Sequence, residues 1–251
     1  MLSYRRDSVF ATRVIVNNRA ALNGLDLGVY SGVEVFRRLA AAVLSWHQAN
    51  SRSFPWRNVS DVYKILVAEK LLQQTRAEQA ERAYSEIVSR WPDPCSLSRA
   101  SPRELQRVLR PLGFYRFRAR ELVYIARALC RGGVSEDGIR LLKGVGDYVH
   151  AAVLASCFGK PVLAIDTNVS RVLARVLHGR ESLVRREARH YSTAFSPALE
   201  ELGPRRVLYA LLDFGYAVCK RLNPECGRCP ASGFCSYYQL RALAAASSRT
   251  R

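Results

Sequence analysis

Acidic residues and lysines are both scarce in this chain of 251 residues. Aspartate and glutamate total 21 against 39 lysines and arginines, which gives a formal net charge of +18, and only five of the basic residues are lysine. This imbalance exceeds what solubility requires and indicates a polyanionic partner. Arginine binds phosphate through a planar fork of donors, so nucleic acid is favoured over an acidic protein or a membrane surface.

Long apolar runs are also missing from the sequence. No uninterrupted hydrophobic stretch reaches membrane-spanning length, and no secretory segment opens the chain. A hydrophobic fraction of 49% still provides for a sizeable core, in one large domain or two modest ones. We therefore predict a cytoplasmic protein that does not associate with membranes.

Three of the seven cysteines, Cys95, Cys130 and Cys157, are scattered through apolar helical stretches. A free thiol in such a stretch behaves as a small buried hydrophobe. We expect these three cysteines to be unpaired, which fits a reducing cytoplasm.

The other four cysteines, Cys219, Cys226, Cys229 and Cys235, fall within seventeen residues and are separated by six, two and five residues. Thiolates are the ligands that zinc and iron-sulfur clusters select, so these four can converge on one metal centre. Their spacing differs from the ferredoxin patterns and from the paired two-residue gaps of most structural zinc sites. The residues alone leave iron-sulfur and zinc open, with disulfides as the least favoured option.

Apolar residues recur at three- and four-residue steps from residue 31 onward, which predicts a helix-rich protein. A first helix follows the cap candidate Ser31. Further helices are predicted over residues 62–75, 76–91, 101–109, 116–130, 148–158 and 169–177. Ser60 or Asp61 and the Ser101–Pro102 pair are typical helix starts.

The two ends of the chain do not share this pattern. Residues 1–30 form an extension in which 9–16 is compatible with a strand or an irregular arm. Residues 244–251 are predicted to be a frayed tail.

Gly144, Val145 and Gly146 lie between two predicted helices. Two glycines one residue apart permit a tight turn whose amides face outward beside a helix N-terminus, an arrangement suited to binding a phosphate. A plain turn between helices is equally compatible with these residues. About twenty residues further on, Asp166 follows a buried apolar run, where a helix cap is the commoner role for an aspartate.

A glycine hairpin, an aspartate and a four-cysteine cluster in this order resemble the helix-hairpin-helix superfamily of DNA glycosylases that contain an iron-sulfur cluster. Endonuclease III, adenine DNA glycosylase and the archaeal thymine mismatch glycosylases belong to it. The resemblance covers roughly residues 36–238. Further matching motifs are Phe54–Arg57, Ala68–Thr75, Leu112–Tyr115 with Arg118 and Ala119, and Leu211–Gly215.

The resemblance implies an all-α fold of two helical domains, with the DNA-binding and active-site cleft between them. Residues 61–160 would form a six-helix barrel that carries the helix-hairpin-helix. Residues 31–60 together with 161–243 would form the iron-sulfur cluster domain. The four clustered cysteines would hold a [4Fe-4S] cluster, with zinc as the alternative, and a monovalent cation is a further candidate ligand at the hairpin.

The resemblance also implies roles for two acids. A glycosylase passes through a sugar with oxocarbenium character, which a nearby carboxylate stabilises while it holds or activates the attacking water. Asp166 is this carboxylate, and Glu69 would protonate or hydrogen-bond the departing base. Because hydrolysis consumes no electrons, the metal cluster would shape the DNA-binding surface.

The residue two places after the hairpin separates the subclasses of this superfamily. Endonuclease III has a lysine there that forms a Schiff base, whereas this chain has Tyr148, and a phenol cannot form an imine. Tyrosine at this place resembles the archaeal thymine mismatch glycosylases, where it lines the base pocket; core filling is the alternative role. Since a mispaired base costs least to extrude, we predict a monofunctional glycosylase of base excision repair that removes thymine or uracil opposite guanine.

Two alternative functions stay open. Adenine removal opposite guanine or 8-oxoguanine is favoured by Glu69 and Gln73–Thr75, and disfavoured by Tyr148 and by the short stretch after Cys235, where adenine glycosylases carry another domain. The other alternative is a lesion-recognising DNA-binding protein without activity, and Asp166 and Glu69 argue against it.

The expected partner is double-stranded DNA containing a mismatched base, bound by a monomer in the nucleoid of a prokaryote, with an archaeal source implied by the resemblance. The expected DNA contacts are Gly144, Val145, Gly146, Gln73, Gln74, Phe114, Tyr115, Asn168, Arg221 and Arg228. Among them, Gln74 and Tyr115, or Phe114 beside it, with Gln73 as a further candidate, are the wedge residues that would fill the gap left by the extruded base and touch the estranged guanine.

Overall fold

The computed structural model describes residues 32–249, and in this range it consists of helices and turns without a strand. The predicted all-α fold is confirmed for the described part of the chain. No helix in that part is long and apolar enough to cross a membrane. The expectations for residues 1–30 and for the Ser31 cap lie outside the described residues.

The described chain divides into two compact units. The first, which we call the hairpin unit, consists of Arg52–Ala164 and Gly203–Tyr209. Its helices are α2 (Val62–Leu72), α3 (Ala77–Arg90), α4 (Pro94–Ser98), α5 (Pro102–Leu109), α6 (Tyr115–Cys130), α7 (Glu136–Leu141) and α8 (Asp147–Cys157).

The second unit, the cysteine unit, combines residues 32–51 with Ile165–Leu202 and residues 210–249. Its helices are α1 (Gly32–Asn50), α9 (Thr167–His178), α10 (Arg185–Ala194), α11 (Ser196–Leu202) and α13 (Ser236–Arg249). The division of the chain falls within α12 (Pro204–Ala217), whose first residues belong to the hairpin unit.

Local signals explain where α2 and α5 begin. The Asp61 side chain accepts a hydrogen bond from the Lys64 amide at 2.8 Å, so the predicted cap of α2 is confirmed. Pro102 is the first residue of α5, where its fixed φ suits a helix and its missing N–H costs nothing. The predicted end of α2 at residue 75 is wrong, because Gln74 adopts a left-handed conformation with φ of 55°.

The core of the hairpin unit forms around α6. Leu122, Ile125, Ala126 and Leu129 recur at helical spacing and are all buried. Each leucine or isoleucine buried in this way stabilises the fold by about 2 kcal/mol.

Aromatic stacking forms the core of the cysteine unit. The rings of Phe36 and Phe195 stack at 3.9 Å, and Trp46 packs edge-on against Phe214 at 5.6 Å. Beside them, His47 Nε2 lies 2.9 Å from Oδ2 of the buried Asp213.

The scattered cysteines are not all unpaired. Cys95 in α4 and Cys130 at the end of α6 form a disulfide, with Cα atoms 4.9 Å apart, and only Cys157 of the three is free. The expectation failed because the packing of α4 on α6 brings together two thiols that are 35 residues apart in the sequence. The cysteines therefore give no support for a reducing compartment.

The C-terminal residues extend α13 further than predicted. The helix continues to Arg249, so residues 244–249 are helical in the structure instead of frayed. Alanine dominates the middle of this helix and has the highest helix propensity of all residues.

Candidate functional site

Asp166 is the N-cap of α9 in the cysteine unit and follows the buried residues Leu163 and Ala164. Its Oδ1 accepts the Val169 amide at 2.7 Å, and its Oδ2 accepts Asn168 Nδ2 at 3.0 Å. Burial raises the pKa of the Asp166 carboxyl, although these hydrogen bonds act in the opposite direction. The residue thus caps a helix and is also a partly buried acid with a perturbed pKa, as many catalytic acids are.

The side chain of Asn168 connects Asp166 to the cysteine segment through Arg171. Arg171 Nη2 donates to Asn168 Oδ1 at 2.8 Å, and Arg171 Nε donates to the carbonyl of Cys219 at 2.8 Å. Gly215 permits this arrangement, because a Cβ there would lie 2.9 Å from Asn168 Cβ. Asn168 therefore has an internal structural role in the cysteine unit.

The four clustered cysteines lie at the ends of short elements. Cys219 follows α12, Cys226 begins the 3-10 turn Cys226–Arg228, Cys229 follows this turn, and Cys235 precedes α13. Each of the six pairs of these thiols interacts electrostatically, so all four lie in one neighbourhood. Burial raises the pKa of Cys219 and Cys235, and it raises that of Cys229 to about 11.

No three His, Cys, Asp or Glu side chains among residues 32–249 form a group that could hold a single metal ion. The mutual proximity of the four thiols provides a set of four sulfur donors, which is the ligand set of a structural zinc site and of a [4Fe-4S] cluster alike. A zinc ion draws its thiolates to about 2.3 Å from one point. A [4Fe-4S] cluster needs four cysteine ligands on a larger body.

Arg175 holds the segment that begins at Cys219 against α9. This arginine is 1% exposed, and its Nε donates to Glu181 Oε2 at 3.0 Å. Its Nη1 donates to the carbonyl of Lys220 at 2.7 Å and approaches Cys219 Sγ at 3.6 Å. We did not predict roles for Arg171 and Arg175, although their four-residue spacing places both on one face of α9.

The exposed arginines of the cysteine segment are Arg221 and Arg228. Arg221 also accepts a hydrogen bond at its carbonyl from Arg175 Nη2 at 3.2 Å. Both guanidinium groups are therefore accessible to a phosphate.

Glu69 lies on α2 in the hairpin unit and is 8% exposed, so it is not an ordinary surface glutamate. It interacts electrostatically with Tyr209, whose pKa is raised by burial. The guanidinium groups of Arg57 and Arg205 lie 5.0 and 5.9 Å from the centre of the Tyr209 ring. Tyr209 was missed in the sequence, where it is one aromatic residue among the apolar positions of α12.

Two turns of the hairpin unit expose the predicted wedge residues. Gln73 and Gln74 are exposed after α2, and Gln74 has a φ of 55°. Phe114 is 72% exposed with a φ of 48°, while Tyr115 is half-buried and packs against the core. The structure thus presents Gln74 and Phe114 outward and holds Tyr115 partly inside.

The hairpin joins α7 to α8. Gly144 has a φ of 83°, which a glycine adopts without strain, and the Gly146 carbonyl accepts the His150 amide of α8. The Val145 side chain is buried and its amide donates to the Leu142 carbonyl at 3.0 Å, so this amide is engaged within the hairpin. Tyr148 is the second residue of α8 and packs against the core while partly exposed.

The glycine hairpin and the buried Glu69 on α2 both lie in the part of the chain that matches a known family. Residues 67–194 match the model of the HhH-GPD superfamily of base excision DNA repair proteins, and the chain belongs to this superfamily.

Individual relatives are similar over most of the chain. The chain is 34% identical to a thymine-DNA glycosylase of Aeropyrum pernix over 217 residues, which are 82% of this chain and 95% of the relative. It is 33% identical to a thymine/uracil-DNA glycosylase of Pyrobaculum aerophilum, over 82% of this chain and 94% of the relative. An adenine DNA glycosylase of Mycobacterium tuberculosis is 35% identical over 75% of this chain, which spans only 64% of that relative.

Solved structures show the same fold. The structure of a thermostable thymine-DNA glycosylase superposes with a TM-score of 0.75 at 27% identity, covering 82% of this chain and 98% of the other. An endonuclease III–DNA complex superposes with a TM-score of 0.67 at 21% identity, which shows a shared fold.

Proposed function

We propose that this chain is a monofunctional DNA glycosylase of base excision repair that hydrolyses the N-glycosidic bond of thymine or uracil mispaired with guanine. The observation that carries this assignment is the similarity to two archaeal thymine or thymine/uracil glycosylases, which extends over 82% of the chain. The excess of arginine supports double-stranded DNA as the substrate, and we propose that the protein binds it as a monomer.

Asp166 and Glu69 supply the acid chemistry in this proposal. The Asp166 carboxylate stabilises positive charge on the deoxyribose and orients the water that adds to C1′. Its hydrogen bonds with Val169 and Asn168 fix the carboxylate in one orientation. Glu69, buried on α2, donates a hydrogen bond or a proton to the base as the bond between C1′ and the base nitrogen breaks.

Tyr148 supports hydrolysis without strand cleavage. It occupies the second position of α8, directly after the hairpin, where a lysine would permit Schiff-base chemistry. Its phenol would instead line the pocket of the extruded base.

The four clustered cysteines fit a [4Fe-4S] cluster, with zinc as the alternative, because the thiols are mutually close and their place after the hairpin and Asp166 resembles the glycosylases that contain such a cluster. Cys219, Cys226, Cys229 and Cys235 would hold it, and it would supply a rigid core for the segment that carries Arg221 and Arg228. Arg175 and Arg171 fix the same segment to α9.

Adenine removal is the second candidate, favoured by the 35% identity to the mycobacterial adenine glycosylase. Both candidates are tested with labelled duplexes that carry T:G, U:G, A:G or A opposite 8-oxoguanine, with abasic sites assayed by alkaline cleavage. We expect release of thymine and uracil. Release of adenine without thymine would replace the first candidate by the second.

Controls separate the remaining alternatives. The variant Asp166→Asn should bind DNA and release no base, and full activity of this variant would refute the assigned role. Selective binding of mismatched duplexes without any base release would indicate a lesion-recognising protein. Borohydride trapping of wild-type protein on DNA would contradict the monofunctional assignment.

A further inference from the structure

Three charged side chains are buried together in the hairpin unit, beneath its exposed turns. Lys70 of α2 is 3% exposed, Glu121 of α6 is 7% exposed and Arg118 of α6 is 6% exposed. Burying charges is costly unless every one of them is paired and hydrogen-bonded. The contacts of this group, which we call the charge cluster, show what it holds in place.

Arg118 joins two turns that carry exposed residues. Its Nε donates to the Gly113 carbonyl at 3.1 Å, beside Phe114. Its Nη2 donates to the Gln73 carbonyl at 2.6 Å and to Thr75 Oγ1 at 2.9 Å, on either side of Gln74.

The remaining donors of Arg118 bind the end of α2. Its Nη1 donates to the carbonyl of Lys70 at 2.7 Å and, more weakly, to that of Leu71 at 3.4 Å. All five N–H donors of the guanidinium are therefore used. A lysine has three donors on one atom and cannot reproduce this fork.

Lys70 joins the turn after α2 to the hairpin. Its Nζ lies 2.7 Å from Glu121 Oε2, 3.0 Å from Gln73 Oε1 and 3.2 Å from the Gly144 carbonyl. The hairpin sits directly on this ion pair, because a Cβ on Gly144 would lie 2.4 Å from Glu121 Oε1 and 2.8 Å from Lys70 Nζ.

The charge cluster thus contacts three surface turns: the turn at Gln73–Thr75, the turn at Gly113–Phe114 and the hairpin at Gly144. Each turn contains a residue with positive φ: Gln74, Phe114 and Gly144, respectively. A left-handed conformation of glutamine or phenylalanine is unfavourable and persists only where the surroundings enforce it. Arg118 provides that enforcement for both turns.

We propose that Lys70, Glu121 and Arg118 are positioning residues that fix the spacing of three DNA-engaging turns, so that the two wedge turns enter a mispair while the hairpin grips the backbone. This proposal rests on the proposed function for the identity of the bound DNA. The contacts described for the three side chains are all with protein groups. Their loss should lower discrimination between damaged and intact DNA more than overall DNA binding.

The test compares affinities for two probe duplexes. One carries a tetrahydrofuran abasic analogue opposite guanine, so that a base is missing from the stack, and we call it the gapped duplex. The other is fully matched. Arg118→Lys keeps the charge and removes the five-donor fork. We expect its affinity for the gapped duplex to fall about tenfold or more, since small displacements of positioning groups have large effects. Its affinity for the matched duplex should stay within about twofold, because that binding depends on charge. Arg120→Lys, an exposed arginine of α6, is the matched control and should change neither affinity.

A second variant removes the ion pair with no change in net charge. Lys70→Met with Glu121→Met should lower affinity for the gapped duplex by a similar factor, and it should accelerate amide hydrogen exchange at residues 142–146. Glu86→Met with Arg90→Met, which removes an exposed ion pair of α3 and also keeps the net charge, is its control. If the melting temperature of Arg118→Lys is well below that of Arg120→Lys, the loss of affinity could reflect unfolding. The affinities of the Lys70→Met, Glu121→Met double variant then test the proposal.

The proposal is overturned if folded variants keep the wild-type ratio of the two affinities, or if the wild type itself does not prefer the gapped duplex. Base release by the wild type is a separate measurement. A wild type that prefers the gapped duplex and releases no base would contradict the enzyme assignment, and the affinity ratios of the variants would still decide the role of the charge cluster.

Discussion

Asn168 donates a hydrogen bond from Nδ2 to Asp166 Oδ2 at 3.0 Å, two residues away on the first turn of α9. The Asn168 Oδ1 is engaged by Arg171 Nη2 at 2.8 Å, which fixes the orientation of the amide and presents its NH₂ group to the carboxylate. A hydrogen bond to an ionised carboxylate lowers its pKa, so Asn168 opposes the effect of burial on Asp166.

Replacing Asn168 by alanine should therefore raise the pKa of Asp166 further. Because the proposed hydrolysis requires the ionised carboxylate, the rate falls as the pH drops through this pKa. We expect the acidic limb of the single-turnover pH–rate profile to move to higher pH in Asn168→Ala. Asn50→Ala, at the exposed end of α1, is the control. An acidic limb that stays in place or moves to lower pH would contradict this role.

Two substitutions of Asp166 should change the stability of the folded protein in different directions. Asp166→Asn keeps an oxygen that accepts the Val169 amide, loses the acceptor of Asn168 Nδ2 and removes a buried charge. Because the raised pKa indicates that burial of this charge outweighs its hydrogen bonds, the variant should be at least as stable as the wild type at pH 7. Asp166→Ala loses the cap and should unfold about 1 kcal/mol more easily. Thermal and urea unfolding measure both.

The pH dependence of this difference follows from the raised pKa of Asp166. A carboxyl whose pKa is higher in the folded state destabilises the fold above that pKa, and the penalty disappears below the ordinary aspartate pKa of about 3.9. The advantage of Asp166→Asn should therefore shrink as the pH falls through this window. An advantage that grows on acidification would refute the burial argument.

Arg175 should be essential for the cysteine segment. Arg175→Met removes the donor of the Lys220 carbonyl and one partner of Glu181, whose side chain is 59% exposed, so the loss of the hydrogen bonds of the buried guanidinium should cost about 2 kcal/mol. We expect lower iron content and weaker absorbance near 400 nm, roughly where iron-sulfur clusters absorb. Arg180→Met breaks a surface pair with Glu187 and should cost at most about 1 kcal/mol. Equal iron content in both variants would contradict the role of Arg175.

Local sequence patterns predicted the helices well because their signals are carried by neighbouring residues. The start of α2 depends on Asp61 and the amide three residues later, and the start of α5 on Pro102. The end of α2 was misplaced for a tertiary reason. Arg118, more than 40 residues away, binds the carbonyl of Gln73 and helps to hold Gln74 in its left-handed conformation.

The candidate site divides in the same way between local and tertiary features. Asp166 was named as a site candidate from the apolar run before it together with the resemblance, and the proximity of the four cysteines was predictable from their spacing alone. Arg175 was not, because its function depends on the carbonyl of Lys220, which the fold brings to α9 from 45 residues away. A basic residue inside a basic sequence carries no signal of such a contact.

The Cys95–Cys130 disulfide is a second tertiary feature, and it should contribute measurably to stability. Closing a loop of 35 residues lowers the entropy of the unfolded chain and corresponds to about 4 kcal/mol. In a protein of this size the double variant Cys95→Ala with Cys130→Ala should then melt about 10 °C lower.

Reductant should lower the melting temperature of the wild type toward that of the variant and leave the variant unchanged. Cys157→Ala, which removes a free thiol, should retain the response to reductant. The disulfide does not form if reductant leaves the melting temperature of the wild type unchanged and both cysteines react as free thiols. In that case the packing of α4 on α6 alone stabilises this part of the hairpin unit.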